Sequence, residues 1–444
     1  MKIDIGKEFV VTQGPAYEDS FWGEFQYPKL FETSDGKFAL KINCARDEWE
    51  FLGRNMALWM VSDDGMNWEQ ESYENLKNKI GTLLPNGDRI YFPDVPAIVL
   101  RAGEFKNAIN AFFRIPTDSI KKEDDGSFPY PVYSFKDSGE ADMHIYDFDT
   151  LPDEYSDKEW KMLRIKKDDN EARTENVCAD IPNRSANAIV YRHMTRDGMF
   201  VMRRPQPYGS VKVDKEGNVW VVTHTGHHLN PYTKGVDRCS AVMIFKSEDN
   251  GQSFKMQSYI PYRPNPDKCF TAYYAGGFSD ADMEFMDDGS IIVIMRTACI
   301  EFSGPEWNPM YISRSTDGGK TFSEPEEISD LGVSPKVCKF DNGLKIMSYG
   351  RPGIYLKTST DPGGMEWSEP IEIMTGNDRS SLMNIPTEKP DFHQWAGSCC
   401  YTDLKKIDEK HALLVYSDFF YPDITYGTKK RLKTILSRII TIED

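Results

Sequence analysis

Apolar and polar residues alternate along much of the chain, and tight-turn dipeptides separate the alternating runs at short intervals. Examples of these dipeptides are Asp35-Gly36, Asn86-Gly87, Asp288-Gly289 and Asn342-Gly343. Alternation with a period of two predicts half-buried strands, and an Asp-Gly or Asn-Gly pair between two such runs predicts a β-hairpin. The chain is therefore predicted to consist mainly of short antiparallel strands.

A second pattern, Ser-x-Asp-x-Gly-x-Ser/Thr-aromatic, recurs along the chain. Residues 247–254 and 315–322 match it in full, and residues 359–367 carry one inserted residue. Residues 61–68 follow it without the Ser, with Asp63 as the acidic residue. Asp and Ser side chains accept hydrogen bonds from the N–H groups of a turn, and Gly adopts the positive φ that a tight turn needs. This pattern is the Asp-box, or BNR, repeat.

The hairpins and repeats divide the chain into six units, which begin near Tyr27, Leu83, Tyr208, Asp280, Pro335 and Tyr401. A four-stranded unit of ~40–50 residues cannot bury both faces of its sheet alone, so such units pack around a common axis. We predict an all-β fold, a six-bladed β-propeller that forms one domain over residues 1–444, with an insertion at 117–192 in the second blade. The alternating run at 3–11 is predicted to join the final strands at 436–442 and close the ring.

Charge and composition narrow the range of functions. The 444 residues carry 53 Lys and Arg against 70 Asp and Glu, and the net charge of -17 would repel a nucleic-acid backbone or an anionic membrane. No apolar run approaches the ~20 residues of a membrane-spanning helix, and no signal peptide is visible. The eight Cys are scattered apart from the pair Cys399-Cys400, which indicates reduced thiols. We expect a cytoplasmic protein, or a secreted one if a signal was removed, that binds neither nucleic acid nor membrane.

The repeats resemble those of the sialidase superfamily, and the resemblance implies catalytic groups on the inner strands around the axis. That family opens its first blade with Phe/Tyr-Arg-Ile-Pro, whereas this chain has Phe25-Gln26-Tyr27-Pro28, so Gln26 stands in place of the first substrate-binding Arg. A literal match to the motif, at 113–116, lies at the mouth of the insertion. The resemblance implies a general acid/base Asp after the second strand of this blade, a position that Asp47 occupies.

The resemblance also implies roles for residues of the last three blades. Asp280 occupies the position of the acidic residue that activates the nucleophile, with Asp282 as the alternative. Arg296 and Arg351 occupy the positions of two further substrate-binding arginines, and Tyr401 that of the nucleophilic Tyr. A Tyr nucleophile suits an anomeric carbon that bears a carboxylate, since an acidic nucleophile would be repelled by it. Guanidinium groups bind a carboxylate through paired, charged hydrogen bonds.

His224 belongs to a cluster, with His227 and His228, that follows a strand of the third blade. Such a His can be a polar loop residue, a substrate contact, a catalytic base or a metal ligand. No Cys or carboxylate lies near it in sequence, so we retain His224 as a candidate substrate contact and predict no metal site and no cofactor. Trp22 and Trp49, near the proposed site, are candidates to stack on a sugar ring.

Three functions fit these residues. The first is a sialidase-like, retaining exo-glycoside hydrolase that acts on a terminal, acidic sugar. Because Gln26 replaces the first Arg, sialic acid, another ulosonic or uronic acid and a neutral sugar all stay open as substrates. The second is a lyase that acts on uronic-acid polysaccharide, and the third is a non-catalytic propeller that binds a glycan or a protein. The sequence predicts a carbohydrate partner for the enzyme and leaves the oligomeric state undefined.

Overall fold

The computed structural model describes most of the chain, in segments separated by gaps. The described residues are 2–46, 56–94, 98–101, 109–116, 132–135, 140–146, 159–169, 171–180, 199–202, 207, 210–224, 228–229, 236–237, 241–262, 277–298, 309–330, 332–351, 353–374 and 398–443. Asp47 and Trp49 lie outside them.

Strands dominate these residues. The first half of the chain contains β1 (Lys2–Ala16), β2 (Gln26–Glu32), β3 (Phe38–Asn43), β4 (Ala57–Ser62), β5 (Glu69–Glu71), β6 (Thr82–Leu83), β7 (Arg89–Tyr91), β8 (Ile98–Arg101), β9 (Ile109–Pro116), β10 (Val132–Phe135), β11 (Glu140–Tyr146), β12 (Glu159–Ile165), β13 (Arg173–Asp180), β14 (Met199–Met202), β15 (Val211–Val213) and β16 (Val219–His224). The second half contains β17 (His228–Leu229), β18 (Val236–Asp237), β19 (Val242–Ser247), β20 (Ser253–Ile260), β21 (Gly277–Phe285), β22 (Ile291–Ala298), β23 (Met310–Ser315), β24 (Glu326–Ser329), β25 (Val333–Lys339), β26 (Lys345–Gly350), β27 (Ile354–Ser359), β28 (Ile371–Met374), β29 (Thr402–Lys406), β30 (His411–Pro422) and β31 (Arg431–Glu443). The helical segments among the described residues are a 3-10 turn at Tyr17–Asp19 and one α-helical turn, α1, at Tyr73–Leu76.

Four sheets of the described chain each contain four strands. Their orders are β2-β3-β4-β5, β21-β22-β23-β24, β25-β26-β27-β28 and β1-β31-β30-β29. Every neighbouring pair in them is antiparallel. Three of the four are simple meanders, as the hairpin pattern of the sequence predicts, and the fourth recruits β1 from the start of the chain.

A larger sheet has eight strands in the order β15-β16-β19-β20-β13-β12-β7-β6. The pair β13 and β20 is parallel, and the other pairs are antiparallel. The sheet thus joins two four-stranded units edge to edge. β12 and β13 lie inside the segment 117–192, which we predicted to be an insertion, so that prediction is too wide. Trp160 and Met162 on β12 are both buried, as expected for a strand that completes a blade.

Apolar layers fill the spaces between neighbouring sheets. On β22, Ile291, Val293 and Met295 belong to a cluster shared with β16 and β19. Ile292 and Ile294 point to the other face, into a cluster shared with β25 and β26. Both faces of one sheet are therefore covered by its neighbours, which is the packing that propeller blades require.

Polar contacts connect the inner strands of successive sheets. Asp282 on β21 accepts a hydrogen bond from the Val337 N–H of β25, at 2.9 Å. Asp403 on β29 accepts one from the Leu30 N–H of β2, at 2.7 Å. Since both carboxylates are buried, these bonds are shielded from water and fix the register of one sheet against the next.

The aspartate-containing turns are built as the motif predicts. Asp249 accepts hydrogen bonds from Ser247 Oγ, the Gln252 and Ser253 N–H groups and Ser253 Oγ, and Asp317 makes the same set. At 61–68 the bonds go to Asp64 instead of Asp63, and Ser62 Oγ fills the serine position. The prediction that this copy lacks its Ser and uses Asp63 is therefore wrong by one residue.

The two ends of the described chain pair as predicted. β1 runs antiparallel to β31, from Lys2 opposite Glu443 to Ala16 opposite Leu432. The predicted all-β propeller fold is confirmed, whereas the count of six blades stays a prediction. Within the described ranges, neither helical segment has the length and apolar character needed to cross a lipid bilayer.

Candidate active site

Three of the predicted site residues meet in one hydrogen-bonded group. Tyr401 Oη donates to Asp280 Oδ2 at 2.7 Å, and the same oxygen lies 2.6 Å from Arg296 Nε. Arg296 Nε also donates to Ser279 Oγ at 2.9 Å, and its guanidinium lies 5.7 Å from the centre of the Tyr401 ring. A phenol, a carboxylate and a guanidinium from three separate strand ends are thus in direct contact.

A repeated β-bulge positions these side chains. In β2, β21 and β25, two residues oppose one on the partner strand, between Gln26 and Lys29, Ser279 and Asp282, and Val333 and Lys336. The first of the two residues in each bulge has a positive φ: 55° at Tyr27, 45° at Asp280 and 49° at Ser334. Bulges re-aim side chains next to active sites, and positive φ in residues other than Gly is a strain that functional sites retain.

Arg351 follows the end of β26 and lies close to the same group. Its φ is 86°, and its N–H donates to the Gly353 carbonyl at 2.8 Å. Gly350 allows this approach, because a Cβ there would lie 2.0 Å from the Cys400 carbonyl oxygen. Burial lowers the pKa of Arg351, and the neighbouring Arg296 guanidinium lowers it further. An anion bound at this position would offset both effects.

Tyr27 is a site residue that the sequence analysis missed. Its ring meets the Tyr401 ring edge-on, with centroids 4.7 Å apart and an interplanar angle of 70°, and it lies within electrostatic reach of Arg351. The sequence contains a pattern that could have indicated Tyr27. A residue followed by Pro stands at the same place in two inner strands, as Tyr27-Pro28 and as Ser334-Pro335.

Gln26 precedes Tyr27 in β2. Its side chain has no exposed surface, and its amide makes no hydrogen bond in the structure. We predicted that Gln26 contacts the substrate in place of an Arg. That role stays a prediction, and in the structure the neighbouring residue, Tyr27, is the one that contacts Tyr401.

The adjacent thiols support the site without offering a nucleophile. Cys400 has a φ of 61° and precedes Tyr401, and burial raises the pKa of its thiol to about 12 although Arg351 opposes the effect. Burial also raises the pKa of Cys399, whose Sγ lies 2.9 Å from Ser417 Oγ. Both groups therefore stay protonated thiols near neutral pH and are poor nucleophiles.

Aromatic side chains pack behind the site. Tyr17, Trp22, Tyr27 and Tyr401 lie against a buried cluster that contains Cys399 and two phenylalanines, Phe419 and Phe420. Tyr17 stacks on Phe419 with centroids 5.7 Å apart, and Trp22 meets Phe419 edge-on at 5.8 Å. The segment between β1 and β2 is therefore fixed against β30.

Other candidates are placed differently or lie outside the described residues. The alternative base, Asp282, connects two strands through Val337, so Asp280 is the carboxylate that contacts Tyr401. Asp47 and Trp49 fall in a gap, and for His224 and the segment 113–116 the backbone alone is described, in β16 and β9. Among the described residues, no group of three or more His, Cys, Asp or Glu side chains is arranged to hold a metal ion.

Comparison with known proteins gives no matching family model and no matching curated protein, but solved structures do match. A protein of unknown function from Dyadobacter fermentans aligns over 99% of this chain and 99% of its own, at 15% identity and a TM-score of 0.50. A mutant of the NanB sialidase from Streptococcus pneumoniae aligns over 98% of this chain and 70% of its own, at 13% identity and a TM-score of 0.51. The class defined by the fold is thus a sialidase-like β-propeller, and at these identities the likeness is one of fold alone.

Proposed function

We propose that this protein is a retaining exo-glycoside hydrolase that acts on a terminal acidic sugar, with Tyr401 as its nucleophile. The observation that carries this proposal is the 2.7 Å hydrogen bond from Tyr401 Oη to Asp280 Oδ2. A phenol has an ordinary pKa of about 10, so it attacks at neutral pH only if a base takes its proton. Asp280 is within the distance that such a proton transfer needs.

The proposed reaction has two steps. In the first, Tyr401 Oη bonds to the anomeric carbon, Asp280 takes the phenolic proton, and the leaving-group oxygen departs with a proton from Asp47. In the second, water attacks the anomeric carbon, Asp47 takes a proton from that water, and Tyr401 departs and recovers its proton from Asp280. Two displacements at one carbon retain its configuration, in the manner of glycosidases that use a Tyr nucleophile.

The charges of the described groups favour an acidic sugar. Arg296 contacts the Asp280 carboxylate, and Arg351 lies within electrostatic reach of Arg296, so these three described groups together carry one net positive charge. A substrate carboxylate would neutralise that charge and offset the burial and repulsion at Arg351. Because the site is partly shielded from water, such a pairing would be stronger than on an open surface.

The first test is hydrolysis of a panel of aryl glycosides of sialic acid, other ulosonic acids, uronic acids and neutral deoxy sugars. We expect release from an acidic sugar, and a loss of kcat of at least about a thousandfold in Tyr401→Phe. Asp280→Asn should lower kcat by roughly a hundredfold, since it removes the base but keeps the shape. The matched control is Tyr73→Phe, whose ring stacks on Trp59 away from the site and which should keep its turnover.

Two outcomes would redirect the proposal. Full turnover in Tyr401→Phe would exclude this nucleophile. If no glycoside is cleaved, incubation with uronic-acid polysaccharides would distinguish the alternatives. An unsaturated, ultraviolet-absorbing product would establish the lyase, and a glycan bound but recovered unchanged would establish a binding protein.

A further inference from the structure

We propose that Tyr27 binds the carboxylate of the substrate together with Arg351. The Tyr27 hydroxyl takes the place of a third guanidinium. This inference rests on the proposed function and deepens it. It assigns a specificity-determining role to Tyr27. The resemblance aligns the neighbouring residue, Gln26, with a substrate-binding Arg.

Position is the first argument. Tyr27 on β2 and Asp280 on β21 occupy the same place in their bulges, the residue with positive φ between the two register pairs. Both side chains contact Tyr401, Asp280 by a hydrogen bond and Tyr27 by an edge-on ring contact. The Tyr27 ring therefore lies against the ring of the proposed nucleophile.

Backbone strain is the second argument. A positive φ is strained at a residue with a bulky side chain, and Gly or Asn would satisfy the bulge with less strain. Pro28 follows and restricts the Tyr27 backbone further. A chain that needed only the bulge would not favour an aromatic ring there, so the ring and its hydroxyl have a use beyond the turn.

Charge is the third argument. Arg296 contacts Asp280, with Nε 2.6 Å from Oδ2, and Arg351 lies within electrostatic reach of the phenols of Tyr27 and Tyr401. A phenol hydroxyl can donate a hydrogen bond to a carboxylate oxygen without adding charge. The half-buried Tyr27 is thus suited to hold one carboxylate oxygen while Arg351 holds the other. One net positive charge matches a sugar with a single carboxylate better than a doubly charged phosphorylated sugar.

Equilibrium binding tests this inference without requiring turnover. The probes are the methyl glycosides of N-acetylneuraminic acid and of glucuronic acid, each as the free carboxylate and as its neutral carboxyl methyl ester. For the wild-type protein we expect the acid of one pair to bind at least about tenfold more tightly than its ester, since hydrogen bonds to charged groups are the stronger ones. Tyr27→Phe keeps the ring contact and should lower that acid-to-ester ratio about fivefold to tenfold.

Two further variants distinguish binding of the carboxylate by Tyr27 from packing of its ring. Tyr17→Phe is the matched control, since Tyr17 packs on Phe419 in the same aromatic cluster without a described contact to Tyr401, and it should keep the wild-type ratio. Tyr27→Asn tolerates the positive φ but removes the ring, so it should lose the acid preference while its unfolding midpoint stays close to that of wild type.

An unchanged ratio in Tyr27→Phe would overturn the inference, and so would a wild-type protein that binds acid and ester equally. A wild-type protein that prefers the acid but cleaves no glycoside would overturn the proposed function and leave the role of Tyr27 standing. A ratio that falls equally in Tyr17→Phe would show that the cluster acts by packing, against the inference.

Discussion

Lys433 is a buried cation that secures the segment between β1 and β2. It has no exposed surface, and its Nζ donates to the Phe21 carbonyl at 2.7 Å and to the Glu24 carbonyl at 2.8 Å. The ammonium also lies 5.0 Å from the centre of the Phe419 ring. Burial lowers the pKa of Lys433 from 10.5 to about 8, because the charged form loses its hydration.

This shift predicts a pH dependence of stability with a definite sign. Between about pH 8 and pH 10.5 the unfolded chain keeps the Lys433 proton and the folded chain has lost it, so stability rises with pH. From about pH 7 to about pH 10, the free energy of unfolding of the wild type should rise relative to Lys433→Met by roughly 2–3 kcal/mol. Denaturant titrations at several pH values would measure this difference.

A matched control for Lys433 lies on the same hairpin. Lys430 makes an exposed ion pair with Asp19, so Lys430→Met should follow the wild-type pH dependence. Parallel pH profiles for wild type and Lys433→Met would show that Lys433 keeps its ordinary pKa.

At the residue scale, the resemblance to the sialidase superfamily assigned site positions to Asp280, Arg296, Arg351 and Tyr401. The structure brings these residues close together, and their roles stay predictions. The sequence did not reveal that Tyr27 is the residue of β2 that contacts Tyr401, because a bulge adds one residue to the strand. Alternation of apolar and polar residues does not reveal that extra residue, and a shift of one residue turns a side chain to the other face.

The aspartate turns are where single side chains stabilise whole hairpins. Asp249 accepts hydrogen bonds from the turn between β19 and β20, including two backbone N–H groups at 2.9 and 3.0 Å. Asp249→Ala leaves these donors without their partner, so we expect the free energy of unfolding to fall by about 1–2 kcal/mol. The midpoint of denaturant-induced unfolding would measure the change.

The neighbouring residue of the same turn is the control. Glu248 is exposed, and its bond to Lys246 is a surface ion pair of the kind worth little, so Glu248→Ala should change stability by less than about 0.5 kcal/mol. Equal midpoints for Asp249→Ala and Glu248→Ala would show that the turn does not depend on the carboxylate.

At the element scale, local features were predictable and distant pairings were not. The turn at Asp288-Gly289 connects β21 and β22 as its sequence indicates, because the conformation of a short hairpin loop is set by neighbouring residues. β12 was included in an insertion because its partner β7 precedes it by a long stretch of sequence. No local pattern specifies a pairing across that distance. The residues between the two strands are poorly periodic and gave no indication that β12 pairs with β7.

At the scale of the whole molecule, the ring explains why the site draws on distant parts of the chain. Tyr27, Asp280 and Tyr401 stand in or beside inner strands of three sheets, and Arg351 follows the second strand of a fourth sheet. Inner strands of a propeller face a common axis, so side chains far apart in sequence converge there. The sequence could indicate this convergence through its repeats. It could not indicate that the Cys400 carbonyl lies close to Gly350, because that contact depends on how two sheets pack.

The pairing of β1 with β31 predicts that closure of the ring carries much of its stability. Ile3, Ile5 and Val10 of β1 pack on a cluster that contains Leu436, Ile440 and Ile442. Ile3, Ile5 and Val10 are partly buried, so each contributes part of the roughly 1.5–3 kcal/mol of a fully buried side chain. Removing the strand also exposes the backbone edge of β31 and the apolar residues under it. Deletion of residues 2–11 should therefore lower the free energy of unfolding by at least roughly 5 kcal/mol and promote aggregation.

The control for this deletion is a full-length chain with substitutions on the exposed side of the same strand. Asp4 and Lys7 are exposed, so the variant Asp4→Ala/Lys7→Ala keeps the apolar contacts and should unfold at the wild-type denaturant concentration. Chemical unfolding followed by tryptophan fluorescence would compare the three proteins. If the truncated chain unfolded at the same midpoint and with the same slope as the wild type, closure by β1 would not hold the ring together, and the remaining sheets would have to be stable as an open array.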